Sequence, residues 1–181
     1  MSSWTSDPEV FVKRFNPDKH AHDYPIETEA NAWGEETYDL PEPPGADPIS
    51  AAAAWLGDGP NYITAEALYE NLNDGDEDND PLIISVRAKE DYDKGHIPGA
   101  IWASPKELFT EDMLSKIDPD RDIVVVCYTG QSAGWVAAGL NDLGYNANVL
   151  LFGMSSWTSD PEVFVKRFNP DKHAHDYPVE K

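Results

Sequence analysis

Ile123-Val124-Val125-Val126-Cys127-Tyr128-Thr129-Gly130-Gln131-Ser132-Ala133 is the stretch on which the fold turns. Four consecutive apolar residues, all β-branched, predict a strand buried on both faces, as in a parallel sheet covered by helices. The strand delivers the chain directly into Cys127. A glycine-bearing loop follows, and residues Ser132 to Leu143 are small and apolar enough to pack as a helix back on the sheet. This is a strand-loop-helix unit with a thiol at its top, the usual ligand-binding edge of an α/β sheet.

The same alternation extends in both directions. Upstream, Ala51 to Leu56 suits a short helix, and Thr64 is placed to cap a helix over Ala65 to Leu72, where Leu68 and Leu72 share a face. Leu82 to Arg87 predicts a buried strand, Lys89 to Lys94 a helical turn, Ala100 to Ala103 a second short strand, and Pro105 to Leu114 a helix. Downstream, Ala147 to Phe152 supplies another strand. The expected class is α/β: three layers, with a central parallel β-sheet flanked by helices on both faces.

Residues Met1 to Pro25 recur identically as Met154 to Pro178, and Ile26-Glu27 continues the match against Val179-Glu180, at an offset of 153 residues. That period is far beyond the ~20 to 50 residues of a solenoid and points to duplication of a whole unit. The chain therefore divides into a duplicated copy at 1–27, an acidic proline-rich linker at 28–50 with Trp33 and Tyr38 available for packing, and one domain at 51–181. The first copy is expected to be the remnant of a preceding unit in a tandem protein. Asp160 and Pro161 give the second copy a helix start.

Asp and Glu total 34 against 13 Lys and Arg, a formal net charge of -21, so the summed field repels nucleic acid and anionic lipid. No apolar run approaches the ~20 residues of a membrane-spanning helix. The N-terminus shows no signal peptide, which favours the cytoplasm unless residues precede Met1 in the native protein. One cysteine excludes an internal disulfide.

A loop curling over Cys127 would aim several backbone N–H groups at the sulfur, and a helix starting near Ser132 would add its positive end. Both favour thiolate, expected below the ~8.5 of a free thiol. The alternative is a small buried residue at a strand end. No Lys or Arg occurs from Asp122 to Val165, so an anionic donor is expected to bind weakly, through neutral amides. His173-Ala174-His175, repeated as His20-Ala21-His22, offers only two metal ligands, an incomplete set. Neither metal nor organic cofactor is expected.

The strand LIISVR, then Glu90-Asp91-Tyr92, Gly95-His96-Ile97-Pro98-Gly99-Ala100, VVVCYTGQSA and Gly153-Met154-Ser155-Ser156-Trp157 resemble the ordered motifs of the rhodanese (sulfurtransferase) family over roughly residues 60 to 181. The resemblance implies that Cys127 accepts sulfur and that Tyr128, Thr129, Gly130, Gln131, Ser132 and Ala133 form the cradle. It makes Arg87 and His96 scaffold residues beneath the site, and Trp157 a lining residue. Three departures stand out: Ser85 where many members carry aspartate, Tyr128 where thiosulfate-preferring members carry arginine, and the absent front of the other unit. From the residues alone, Arg87 is expected to tie a carboxylate such as Glu90, and His96 to be a turn imidazole bonded to backbone groups.

The implied activity is that of a sulfurtransferase or persulfide carrier. It would take sulfur from a donor such as thiosulfate or a persulfide onto Cys127 and pass it to a thiol acceptor. Phosphatase or arsenate reductase chemistry requires an oxyanion-clamping arginine about six positions after the cysteine, where Ala133 stands. A non-catalytic interaction module is the remaining alternative. Because the copies are nearly identical, residues 1–27 are also expected to exchange between chains and form a homodimer.

Overall fold

The computed structural model describes residues 3–5, 7–11, 13–57 and 61–180. Five parallel strands form the sheet: β1 (Tyr62–Ile63), β2 (Leu82–Ser85), β3 (Ile101–Trp102), β4 (Ile123–Val126) and β5 (Ala147–Leu150), in the order β1-β5-β4-β2-β3. The described helices, in chain order, are α1 (Pro8–Phe11), α2 (Pro17–His20), α3 (Pro48–Gly57), α4 (Ala65–Asn71), α5 (Lys89–Lys94), α6 (Pro105–Leu108), α7 (Glu111–Leu114), α8 (Gln131–Asp142), α9 (Met154–Trp157), α10 (Pro161–Phe164) and α11 (Pro170–His173).

The period-two geometry of a strand sends alternate side chains to opposite faces. Ile123 and Val125 of β4, with Ile84 of β2, pack against Leu108, Leu114, Val136 and Leu140 from α6, α7 and α8. Val124 and Val126, with Ile83, pack against Leu68 of α4, Met154 and Trp157 of α9, and Val163 of α10. All four residues of β4 are buried, each contributing on the order of 1.5–3 kcal/mol of transfer free energy. Cys127 continues the parity of Ile123 and Val125, so its side chain leaves the sheet on the α8 face.

Several expected boundaries shift for physical reasons. The helix expected over Pro105 to Leu114 is two short helices broken at Phe109, whose ψ of 42° leaves the helical region. The Phe109 ring lies over Gly139 of α8, so close that a Cβ there would meet it at 2.7 Å. The last expected strand stops at Leu150, because Phe152 takes a positive φ of 63° and turns the chain into α9. Strand β1 was not anticipated, since two residues carry no readable periodicity; Leu151 N–H bonds to the Ile63 carbonyl and Val149 N–H to that of Asn61.

The 28–50 segment is not a free linker. It runs along the β3 side of the sheet, with Asn31 bridged to Ile101, Trp33 Nε1 donating to the Trp102 carbonyl at 3.3 Å and Tyr38 N–H to that of Ser115 at 2.7 Å. Its last residues, from Pro48, already belong to α3. Just before it, Glu27 pairs with His96 in an isolated antiparallel bridge.

The two copies of the duplicated segment dock reciprocally. In the first, His22 N–H donates to the Ser156 carbonyl, Tyr24 N–H to that of Trp157, and Trp157 Nε1 to the Pro25 carbonyl. In the second, His175 N–H donates to Ser3, Tyr177 N–H to Trp4, and Trp4 Nε1 to Pro178. At the 153-residue offset these are the same three bonds with the partners exchanged. Arg14 lies over the Phe168 ring and Arg167 over the Phe15 ring, each at 5.4 Å. The copies thus form a clasp related by pseudo-two-fold symmetry.

Candidate active site

Cys127 lies at the carboxyl end of β4 and on the floor of a cleft of about 750 Å³. The residue is 1% exposed, lining the cleft while packing with the core on the α8 face. Gly130 makes that position possible. Its left-handed φ of 90° closes the loop, so that its own N–H donates to Cys127 Sγ at 3.1 Å. Among the described contacts it is this one amide, rather than the expected ring of several, that reaches the sulfur. α8 begins at the next residue with no side chain capping its first turn. The partial positive charge of a 12-residue helix therefore faces the sulfur.

The loop is fixed from below by the Gly153 turn, which the sequence offered as a motif without a role for its glycine. Gly153 adopts φ 54° and ψ -147°, which brings its neighbours against the loop backbone. Met154 N–H donates to the Cys127 carbonyl at 2.9 Å, and Ser155 gives Tyr128 O both its N–H, at 3.2 Å, and its Oγ–H, at 2.9 Å. A Cβ on Gly153 would lie 2.3 Å from Cys127 O, so only glycine fits. The signal was present in Gly153-Met154-Ser155-Ser156-Trp157, but nothing in sequence reveals which backbone that glycine approaches.

Thr129, Gln131 and Ser132 line the cleft with Tyr128. The Tyr128 hydroxyl is turned away from the sulfur: it accepts from Ala88 N–H at 3.1 Å and donates to Asp91 Oδ2 at 2.7 Å. Burial raises the Tyr128 hydroxyl above its ordinary value, and the bond to Asp91 adds to the effect. Asp91 is held low in turn by that bond and by Lys94. Ala133 is not part of the cleft wall; as the third residue of α8 it faces the core and is fully buried.

Arg87 is buried and does not pair with Glu90. Its guanidinium donates to the carbonyls of Val163 at 3.0 Å and Gly95 at 2.5 Å, and lies 6.0 Å from the centre of the Tyr128 ring. The reason is position: the Arg87 side chain, just past β2, is buried where the Val163 and Gly95 carbonyls lie, while Glu90 is exposed on α5. Burial lowers its pKa from the ordinary value, opposed by the charges of Tyr128, Asp91 and Cys127. His96 is the turn imidazole that was expected. Nδ1 donates to the Tyr92 carbonyl at 2.9 Å, the ring stacks on Tyr92 at 3.7 Å, and Nε2 lies 3.6 Å from Glu27 Oε2.

Trp157 does not line the cleft. Its ring belongs to the opposite core, edge-on to Tyr24 at 5.1 Å, where it seats the first copy. The alternation of strand faces decides this, because α9 packs on the side away from Cys127. The far wall of the cleft comes instead from the second copy: Lys166, Phe168 and His173, with the exposed Trp135 of α8 at the rim. An adjoining recess of about 200 Å³ shares Thr129, Gln131 and Phe168 and adds Lys13 and Phe15 from the first copy. A cation thus stands at the mouth after all, contrary to the expectation drawn from the lack of Lys and Arg between Asp122 and Val165.

A family model described as the Rhodanese-like domain matches residues 64–160, more than half of the chain. The chain belongs to the rhodanese-like family. A sulfurtransferase of Allochromatium vinosum is 32% identical over 93 residues, spanning 51% of this chain and 82% of that protein. A tRNA sulfurtransferase of Pyrobaculum aerophilum is 33% identical over 66 residues, 36% of this chain and 13% of that protein. The HTH-type transcriptional regulator Rv0324 of Mycobacterium tuberculosis is 39% identical over 82 residues, 45% of this chain and 34% of that protein. The chain thus spans about a third of the regulator and a smaller part of the archaeal enzyme. Among solved structures, a rhodanese-like domain protein of Staphylococcus aureus aligns with a TM-score of 0.48 at 25% identity, covering 54% of this chain and 90% of that one. The rhodanese-like domain and its sulfurtransferase relatives support sulfur transfer as the general chemistry.

Proposed function

We propose that this rhodanese-like chain is a sulfurtransferase or persulfide carrier that moves sulfane sulfur, from thiosulfate or a persulfide, to a thiol acceptor through Cys127. The observation that carries this reading is the Gly130 N–H on Cys127 Sγ, at the N-terminus of α8 and on the floor of an open cleft. An N–H bond and a helix end both favour the anionic form of a sulfur atom, and they would equally support the outer sulfur of a persulfide.

With thiosulfate, the Cys127 thiolate attacks the outer sulfur. A new S–S bond forms to the protein, the S–S bond of the donor breaks, and sulfite leaves with the bonding pair. An acceptor thiolate then attacks the outer sulfur of the persulfide, and Cys127 leaves as thiolate. Each half-reaction is balanced without metal or redox cofactor. Arg87, Tyr128 and the Gly153 turn act here by positioning the loop.

Intact-mass measurement tests the proposal. Incubation with thiosulfate or an organic persulfide, followed by removal of the donor, should add one sulfur, about 32 mass units, and Cys127→Ser should abolish the gain. An unchanged mass with every donor would refute it and favour a non-catalytic module. Phosphatase or arsenate reductase chemistry has no support at position 133, where buried Ala133 offers nothing to clamp an oxyanion.

A further inference from the structure

The cleft differs in charge from the protein around it. In a chain of net charge -21, six of the 13 basic residues fall in the two duplicated segments: Lys13, Arg14, Lys19, Lys166, Arg167 and Lys172. Among the described residues, the cleft and its adjoining recess are lined by Lys166, Lys13 and His173 and by no carboxylate. The nearest acid of the loop network, Asp91, is engaged by Tyr128 and Lys94 on the far side of the Tyr128 ring.

Lys166 is aimed by a strained turn. Val165 has φ 46° and ψ -50°, and Lys166 N–H bonds to the Phe164 carbonyl at 2.5 Å, closing a γ-turn around a β-branched residue at positive φ. Such a conformation is disfavoured for valine and persists only where the surroundings hold it. Here α10 is anchored before the turn: Val163 is buried and its carbonyl accepts from Arg87. After the turn, Arg167 donates to the carbonyls of Ser155 and Thr158 at 2.7 and 2.6 Å. Between those two anchors the chain has one way to go, and it places Lys166 Nζ 4.1 Å from the centre of the Tyr128 ring, on the wall opposite Cys127.

We propose that Lys166 is the specificity-determining residue of an anion subsite at the mouth of the Cys127 cleft, selecting donors that are themselves negatively charged, of which thiosulfate is the simplest. The subsite rests on the sulfur-transfer reading above. The ammonium pairs with the sulfonate of the bound donor while the outer sulfur reaches Cys127. Thr129 and Gln131 line the floor between the two lysine recesses and supply neutral donors. The duplicated segment thus does more than close the clasp, because it brings the charge that the Cys127 loop itself lacks.

The test compares two reagents on the full chain: thiosulfate, a dianion, and methyl methanethiosulfonate, a neutral reagent that also modifies a thiolate. Lys166→Met should raise KM for thiosulfate on the order of tenfold, as expected for loss of one charged contact, with a smaller change in kcat. Its rate of Cys127 methylthiolation should stay within about twofold of wild type, which shows that the thiol and the loop are intact. Lys166→Arg should restore most of the thiosulfate affinity, and Lys13→Met should have the weaker effect. Equal loss with both reagents would mean a structural role and overturn the proposal. So would an unchanged KM in Lys166→Met, or a larger loss in Lys13→Met. If wild type is methylthiolated yet takes up sulfur from an organic persulfide and not from thiosulfate, the subsite is overturned while transfer stands; if it takes up sulfur from neither donor, the transfer reading itself fails.

Discussion

Replacing Gly153 by alanine isolates the contact that holds the Cys127 loop. At φ 54° and ψ -147° the backbone lies where residues other than glycine rarely go, at about 1–3 kcal/mol. The added methyl would sit 2.3 Å from Cys127 O and 2.8 Å from Thr129 N and Tyr128 C. All three are backbone atoms, so no side chain can swing aside. Relieving the overlap requires moving the loop or the α9 turn by about 1 Å, at a further ~1–3 kcal/mol for overpacking. The expected loss is therefore roughly 2–6 kcal/mol of the 5–15 typical of a folded domain, read from the urea midpoint with an unchanged m-value. Displacement of the Gly130 N–H should also slow persulfide formation measured by intact mass. Gly134, inside α8 with open space around it, is the matched control; alanine there should stabilise by up to about 1 kcal/mol. A Gly153→Ala protein within about 0.5 kcal/mol of wild type would refute the reasoning, because the clash would not exist.

Two further outcomes are expected. Glu27 is held below its ordinary value of 4.5, first by the Asn31 side-chain amide at 2.7 Å, then by Gly99 N–H, with His96 a lesser cause. A depressed carboxyl contributes stability above its unfolded value that is lost as pH falls through the lower folded one. Glu27→Gln should therefore lower the thermal midpoint at pH 7, by the equivalent of ~1 kcal/mol or less for a group that is part-exposed, and the difference should shrink as pH falls below the ordinary carboxyl value; a difference independent of pH would count against the linkage. The reciprocal clasp should open between chains as well as within one, so we expect dimers by exchange of residues 1–27. Intramolecular docking benefits from effective concentrations in the millimolar range, so light scattering should find monomer at micromolar concentration and a dimer fraction after concentration or refolding near millimolar. A monomer under all of these conditions would exclude exchange.

Local chemistry alone determined much of this protein. The unbroken apolar run Ile123–Val126 required a strand covered on both faces, and Gly130 after Cys127 required a tight turn into a helix, because strand burial and glycine freedom are properties of a few adjacent residues. The identical copies at 1–25 and 154–178 were likewise visible, as was the role of His96 in its turn. What only the tertiary structure decided was which groups meet across long separations. It showed Gly153 against Cys127 O, Arg87 on Val163 and Gly95, Trp157 turned to the Tyr24 side, and Lys166 facing a loop that is itself uncharged. Charge counted along the sequence missed Lys166, which lies 39 positions beyond Cys127, because a cation acts across space. That space is set by how the sheet faces, the buried Arg87 and the clasp of two identical segments fold the chain back on itself.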